Sequence, residues 1–197
     1  MTHVSRETDN LLATYQALIH QWNPRINLVA PSTLPDFKNR HLADCLQLAD
    51  LAKGATGHWV DLGSGGGLPG IVMATVLRDA SLQFTFVESD RRKGEFLRTA
   101  LRELGLKNVK IKAERIEQIE PLKADHISAR ALAPLPNLLG FVDRHIATGG
   151  TAWLMKGRTW RDEVAVANKT WRFELDAISS RTEAEAAILK ISGVSYA

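Results

Sequence analysis

A glycine-rich loop is the part of the sequence best suited to hold a ligand. Asp61 is followed by the run Leu62-Gly63-Ser64-Gly65-Gly66-Gly67-Leu68-Pro69-Gly70. Glycines let a backbone turn tightly and approach a bound molecule closely, and a proline suits the first turn of a helix. The free N–H groups at such a helix start attract negative charge. The loop therefore predicts a cofactor site between a strand and a helix.

Two cofactors compete for this loop. Gly65 to Gly70 matches the dinucleotide fingerprint G-x-G-x-x-G, whereas Asp61 to Gly67 matches the D-x-G-x-G-x-G loop of S-adenosylmethionine (SAM) methyltransferases. We expect the Asp61 carboxylate to point toward the ligand, where it suits cationic SAM and repels a pyrophosphate. Glu88 ends the next strand and suits the ribose hydroxyls of either cofactor. SAM is favoured, and a nicotinamide-dependent reductase is the alternative.

Alternating strands and helices must position this loop. Apolar spacing predicts helices over residues 8–22 and 35–51, the first ended by Asn23-Pro24. Strands are then predicted near 58–62, 82–87, 109–111, 126–129, 151–155, 173 and 187–191, with helices near 70–77, 91–104, 135–146 and 161–168. This alternation implies right-handed crossovers and a parallel sheet. We predict one domain over 1–197, in which a helical extension (1–54) precedes a doubly wound, mostly parallel α/β core (55–197).

Charge and composition limit the classes of partner and the cellular compartment that the chain suits. The chain has 25 basic and 22 acidic residues, and residues 91–115 alone hold nine basic and three acidic ones. A basic face suits a polyanion such as nucleic acid, and a merely solvated helix face is the alternative. The sequence has no membrane-length apolar run, no signal-peptide pattern, and Cys45 as its single cysteine. We therefore expect a cytoplasmic protein without membrane contact.

Short motifs along most of the chain occur in a recognisable order. They are Trp22-Asn23, Asn27-Leu28, Arg40-His41-Leu42-Ala43-Asp44, Asp61 to Gly65, Gly67-Leu68-Pro69-Gly70, Phe84 to Leu97, Ile116-Glu117, Ser128-Ala129-Arg130-Ala131 and Met155-Lys156-Gly157. Together they resemble the bacterial small-subunit rRNA guanine-N7 methyltransferases, RsmG, formerly called GidB. Ala129 separates Ser128 from Arg130, Gly66 replaces a proline often found in the loop, and the match is poor after Arg158.

The resemblance implies a class I, Rossmann-like SAM-dependent methyltransferase that modifies guanine N7 at one position of 16S rRNA. N7 carries an in-plane lone pair and no proton, so no general base is expected. The histidines show no metal-ligand spacing, so no metal is expected. The implied cofactor-binding residues are Asp61, Gly63, Gly65, Leu68, Glu88, Ile116, Glu117 and Arg130. The implied RNA-binding residues are Arg40, His41, Arg91, Arg92, Lys156 and Arg158.

The resemblance also implies 16S rRNA or the small ribosomal subunit as partner, and we expect a monomer. Two other functions stay open: a SAM methyltransferase acting on a small molecule, and a non-catalytic module that binds SAM or RNA.

Three of the implied site residues also have structural interpretations. Arg130 is alternatively a surface arginine. Arg40 and His41 alternatively serve helix capping and packing, with His41 paired to Asp44. If His41 holds RNA, activity should fall at acid pH as it titrates near its ordinary pKa of about 6.5.

Overall fold

The structure is a computed structural model that describes residues 4–197, so residues 1–3 of the predicted extension lie outside it. Its helices are α1 (Arg6–Ile26), α2 (Ala43–Leu51), α3 (Gly70–Val76), α4 (Arg91–Glu103), α5 (Leu135–His145) and α6 (Trp160–Ala167). Its strands are β1 (Gly57–Leu62), β2 (Leu82–Val87), β3 (Val109–Lys112), β4 (Ala124–Arg130), β5 (Ile146–Lys156), β6 (Trp171–Ser179) and β7 (Ala187–Tyr196). A 3₁₀ turn (Pro31–Asp36) and a π turn (Lys38–Leu42) join α1 to α2.

The seven strands form one sheet in the order β3-β2-β1-β4-β5-β7-β6. Strands β1 to β5 pair in parallel, and β7 runs antiparallel to both β5 and β6. This confirms the predicted doubly wound, mostly parallel sheet. The strand order reverses between β1 and β4, so a ligand site is expected outside the carboxyl ends of these two strands.

Helices cover both faces of the sheet, and the alternation of side chains along β1 divides the core. Trp59 packs with apolar residues of α1 to α4, whereas Val60 and Leu62 pack with those of α5 and α6. Successive side chains of a strand point to opposite faces. Asp61 therefore shares the face of Trp59 and lies beneath α3.

Two helix predictions were wrong in detail. α1 continues through Pro24 to Ile26, because the chain turns only at Asn27, which has a left-handed backbone (φ 48°). The buried Asn23 side chain fixes this turn through two hydrogen bonds to the backbone of Val29 (3.1 and 2.8 Å). The predicted helix over 35–51 is α-helical only in α2, since 3₁₀ and π turns precede it.

The remaining predicted elements occur in the predicted order, although β5 starts five residues earlier than expected, at Ile146. Among residues 4–197, no helix combines the length and the apolar character that crossing a membrane requires.

Candidate active site

A cavity of about 740 Å³ opens at the carboxyl ends of β1, β2 and β4. Seven of the eight predicted cofactor-binding residues line this cofactor cavity: Gly63, Gly65, Leu68, Glu88, Ile116, Glu117 and Arg130. Residues 27–30, just after α1, also reach it. Its volume lies within the range of small-molecule sites, about 300–1,000 Å³.

The glycine loop follows β1 and has a backbone that only glycine adopts readily. Gly63, Gly65 and Gly67 have φ angles of 66°, 54° and 88°, in the left-handed region that side chains disfavour. A Cβ atom at Gly63 would lie 2.5 Å from Leu132 Cδ1. The loop can therefore bring its backbone against a ligand only with glycine at these positions.

Glu88 is fixed at the end of β2 by two backbone amides. Gly65 N–H donates to Oε2 (2.8 Å) and Asp90 N–H donates to Oε1 (2.7 Å). Each carboxylate oxygen has further acceptor capacity, so Glu88 can also accept bonds from two ribose hydroxyls. The same bond to Gly65 ties the glycine loop to β2.

The expected orientation of Asp61 toward the ligand was wrong. Its side chain is completely buried under the loop and does not line the cofactor cavity. Ser128 Oγ donates to Asp61 Oδ1 (2.6 Å) and accepts a hydrogen bond from Trp59 Nε1 (2.9 Å). The register of β1 against β4 places Asp61 opposite Ser128, which explains this orientation.

The two oxygens of the Asp61 carboxylate differ in their hydrogen bonding. Oδ2 faces the Gly70 amide at the start of α3 and, among residues 4–197, makes no hydrogen bond of ordinary geometry. Burial raises the pKa of Asp61 to about 6, although hydrogen bonds from its neighbours oppose this shift. A buried carboxylate with an unpaired oxygen beneath the loop suits a cation above it. The residues present therefore fit SAM, and they do not fit a pyrophosphate.

Arg130 ends β4 and anchors a cluster with the π turn and α2. Its guanidinium lies 3.3 Å from Asp44 Oδ2 and donates to His41 Nδ1 (3.0 Å). The other ring nitrogen of His41 bonds Thr33 Oγ1 (2.8 Å). Asp44 thus pairs with Arg130, not with His41 as the packing alternative supposed.

His41 stays neutral in this cluster. Burial, followed by the charges of Arg130 and Arg40, lowers the pKa of His41 to about 4. The expected titration near 6.5 was therefore wrong, because a positive charge on His41 would face the Arg130 guanidinium.

A second cavity of about 550 Å³ adjoins the cofactor cavity. The two cavities share His41, Arg130 and Ala131 as a common wall. Ala131 has a φ of 51°, and such strain in a non-glycine residue recurs at ligand sites. We call this space the acceptor cavity, since it lies beside the cofactor cavity at the same sheet edge.

Apart from the half-buried His41, the predicted RNA-binding residues fall into two groups. Arg40, Arg91, Arg92 and Arg158 are exposed, and Arg40 lines the acceptor cavity. The Lys156 side chain is only 10 % exposed, pairs with Glu163 Oε2 (2.6 Å) and donates to Ala133 O (3.0 Å). Lys156 is therefore not available as a free phosphate ligand, because its charge is balanced inside the protein.

The basic stretch 91–115 is partly neutralised. Arg92, Arg98, Arg102 and Arg115 lie within 4 Å of acidic partners, namely Asp90, Glu95, Glu103 and Glu117. Fewer cations of this stretch are therefore free to bind a polyanion than its nine basic residues indicate.

Sequence reasoning missed two residues that shape the site. Tyr15 of α1 is completely buried, and its hydroxyl donates to Gly66 O (2.5 Å) in the glycine loop. Gln47 of α2 is 3 % exposed and bonds the connection between β6 and β7. Both look like ordinary helix residues in the sequence, because their partners lie 51 or more positions away.

The remaining candidate reactive groups, the Cys45 thiol and possible metal ligands, show no arrangement for catalysis among residues 4–197. Burial raises the pKa of Cys45 to about 12, so its thiol stays protonated. Within residues 4–197, no three His, Cys, Asp or Glu side chains are arranged to hold a metal ion.

Comparison with known proteins identifies the family. The family model described as rRNA small subunit methyltransferase G (GidB) matches residues 8–188. A ribosomal RNA small subunit methyltransferase G of Paracoccus denitrificans is 54 % identical over 98 % of this chain and 99 % of its own. One of Ruegeria pomeroyi is 48 % identical over 98 % and 94 % of the two chains.

Solved structures support the fold. A SAM-dependent methyltransferase from Aquifex aeolicus matches with a TM-score of 0.63 at 12 % identity, covering 89 % of this chain and 97 % of that one. A ribosomal protein L11 methylase from Lactobacillus delbrueckii matches with a TM-score of 0.61 at 15 % identity, covering 77 % and 76 %. These likenesses bear out the class I, Rossmann-like fold, and the sequence matches show that the chain belongs to the rRNA small subunit methyltransferase G family.

Proposed function

We propose that the chain transfers a methyl group from SAM to N7 of one guanine in 16S rRNA. Family membership makes it a SAM-dependent methyltransferase of small-subunit rRNA, and the proposal adds the acceptor atom and the roles of individual residues. One observation supports it most: two cavities meet at a wall of His41, Arg130 and Ala131, at the edge where such sheets bind ligands.

The cofactor cavity is proposed to hold SAM, which supplies an electrophilic methyl group on a sulfonium. Glu88 accepts bonds from the ribose hydroxyls, and Ile116 and Leu132 offer apolar surface for the adenine. The backbone of Gly63 and Gly65 approaches the methionine portion. Asp61 acts from beneath the loop, where its negative charge favours a cationic ligand without touching it.

The acceptor cavity is proposed to hold the guanine. Arg130 can donate to guanine O6, the acceptor next to N7, and this leaves the N7 lone pair free to attack. No group has to remove a proton, because N7 carries none. His41 has a pKa of about 4 and Cys45 one of about 12, so neither suits a proton acceptor near neutral pH. The protein contributes orientation and exclusion of water.

Exposed cations are proposed to hold the surrounding RNA. Arg91 and Arg92 stand at the start of α4, beside Lys93, which lines the cofactor cavity. Arg40 lines the acceptor cavity, and Arg158 directly follows Gly157, which also lines it. Phosphate contacts from such residues position an RNA without reading its sequence.

We propose that residues 1–197 act as one domain and as a monomer in the cytoplasm, where ribosomal RNA is modified. The N-terminal extension supports the single domain, because residues 27–30 line one cavity and residues from Asp36 to Asp44 line the other. Both cavities are built within one chain.

The test is methyl transfer from labelled SAM to unmodified 16S rRNA and to small subunits assembled from it. We expect label in a single 7-methylguanine, identified by nuclease digestion and mass spectrometry. A Gly63→Val variant is the negative control, since its side chain would meet Leu132. Label at another atom would contradict the acceptor, label only in small molecules would favour the small-molecule alternative, and binding without turnover would favour the non-catalytic one.

A further inference from the structure

The connection between β6 and β7, residues 180–186, contributes to the lining of the acceptor cavity. Ser180, Thr182, Glu183 and Ala186 line it, as does the wall shared with the cofactor cavity. This connection lies in the part of the chain whose sequence motifs matched poorly. Because it lines the acceptor cavity, its position can affect how the acceptor binds.

Gln47 fastens this connection to α2. Its Oε1 accepts the Arg181 N–H (3.0 Å), and its Nε2 donates to Ser180 Oγ (3.2 Å) and to Asp44 Oδ1 (2.9 Å). Two of these bonds go to the connection and one to Asp44 of the same helix, so this nearly buried amide holds the connection against α2.

Asp44 links this clamp to Arg130. Asp44 Oδ1 also accepts from Thr182 Oγ1 (3.2 Å), while Oδ2 faces the Arg130 guanidinium at 3.3 Å. Arg130 lines both cavities. The connection, α2 and Arg130 are therefore joined by one continuous network of hydrogen bonds and an ion pair.

We propose that Gln47 is a positioning residue for the acceptor base. It fixes the shape of the acceptor cavity by holding residues 180–186 and Asp44 in place relative to Arg130. This inference rests on the proposed function, because it concerns the acceptor side of the same site. Gln47 does not line either cavity, so it acts through Asp44. Its loss should disturb the acceptor and leave the cofactor side intact.

The main variant is Gln47→Met, which keeps an unbranched side chain of similar volume and removes the hydrogen bonds. The matched control is Thr85→Val, an isosteric loss of a buried hydroxyl that bonds His58 and lines neither cavity. Each protein is assayed for SAM affinity by calorimetry, single-turnover rate at saturating RNA, and thermal midpoint.

We expect Gln47→Met to lose about 10- to 100-fold in single-turnover rate, the scale of a misplaced reactant, while its SAM affinity changes less than about twofold. Thr85→Val should keep its rate even if its thermal midpoint falls equally. A retained rate in Gln47→Met, or a loss of SAM affinity that matches the loss of rate, overturns the inference.

A second variant guards against misfolding. Thr182→Val removes the bond to Asp44 from the exposed connection, and it should reproduce the loss in weaker form. The double variant should lose less than the product of the two single losses, because both changes break one network; independent losses overturn the inference. If the wild-type protein modifies a different RNA atom, the proposed function fails, yet the same rates on that acceptor still decide the role of Gln47.

Discussion

Replacing Asp61 with asparagine removes a charge from beneath the glycine loop. In the folded protein the pKa of Asp61 is raised to about 6 from an ordinary 3.8, chiefly by burial. As pH rises from about 4 to 6, the unfolded chain loses this proton before the folded chain does. The contribution of Asp61 to the free energy of unfolding is therefore most favourable at acid pH and falls until the pH passes about 6.

The size of the effect follows from the difference in pKa. Two pH units at about 1.4 kcal/mol each give a cost of about 3 kcal/mol at pH 7. The asparagine side chain would keep the bond from Ser128 Oγ, but its Nδ2 would face the Gly70 amide, and an unpaired buried donor costs about 1–3 kcal/mol. We expect Asp61→Asn to raise the free energy of unfolding by up to about 2 kcal/mol at pH 7.

The assay is urea unfolding of both proteins, without cofactor, between about pH 4 and 8. The gain should turn into a loss toward pH 4, where both side chains are neutral in the folded protein and only the cost of the unpaired Nδ2 donor remains. Asp79→Asn is the control, since that side chain is 93 % exposed and should show no such change. SAM affinity of Asp61→Asn should fall at pH 7. A variant that is less stable at pH 7, or a difference in stability that does not vary with pH, would refute the reasoning.

Three further predictions follow from the same site. Arg130→Lys keeps the charge but loses the planar fork, so the single-turnover rate should fall by at least about tenfold with a smaller change in thermal midpoint. The single-turnover rate at saturating SAM should be flat from about pH 7 to 9, because His41 is already neutral and Asp61 already ionised there; a limb near pH 6.5 that His41→Asn removes would contradict this. Reversing Arg91 and Arg92 to Glu should reduce the slope of log affinity for RNA against log salt by about two or more, with SAM affinity unchanged in calorimetry; an unchanged slope would mean that the start of α4 is only solvated.

The sequence predicted elements best where local pattern and tertiary packing agree. The strand over 82–87 was predicted with its observed bounds, and the helix over 91–104 ends one residue earlier, at Glu103. Both have strong apolar periodicity and clear boundaries. The prediction failed at Pro24, because the buried Asn23 organises a turn with Val29 that local propensity does not reveal.

The same distinction separates the parts of the site. The glycine loop and Glu88 could be predicted, because a strand, a tight turn and a helix follow one another directly in the sequence. The partners of Arg130 lie 85 to 90 positions away, so only the folded chain brings them together. The orientation of Asp61 depends on the register of β1 against β4, and register between strands 67 residues apart leaves no local signal.

The buried charge of Asp61 also affects product release in the proposed reaction. An ionised carboxylate beneath the loop favours a cation in the cofactor cavity, and the interaction is stronger in the protein interior than in water. Methyl transfer from a sulfonium leaves a neutral thioether there and moves the positive charge to the guanine. Asp61 therefore attracts the substrate form of the cofactor more than the product form. The acceptor cavity, where Arg130 already stands, becomes less favourable for the methylated base. Both effects favour release after transfer, and neither needs a residue that exchanges a proton with the substrate.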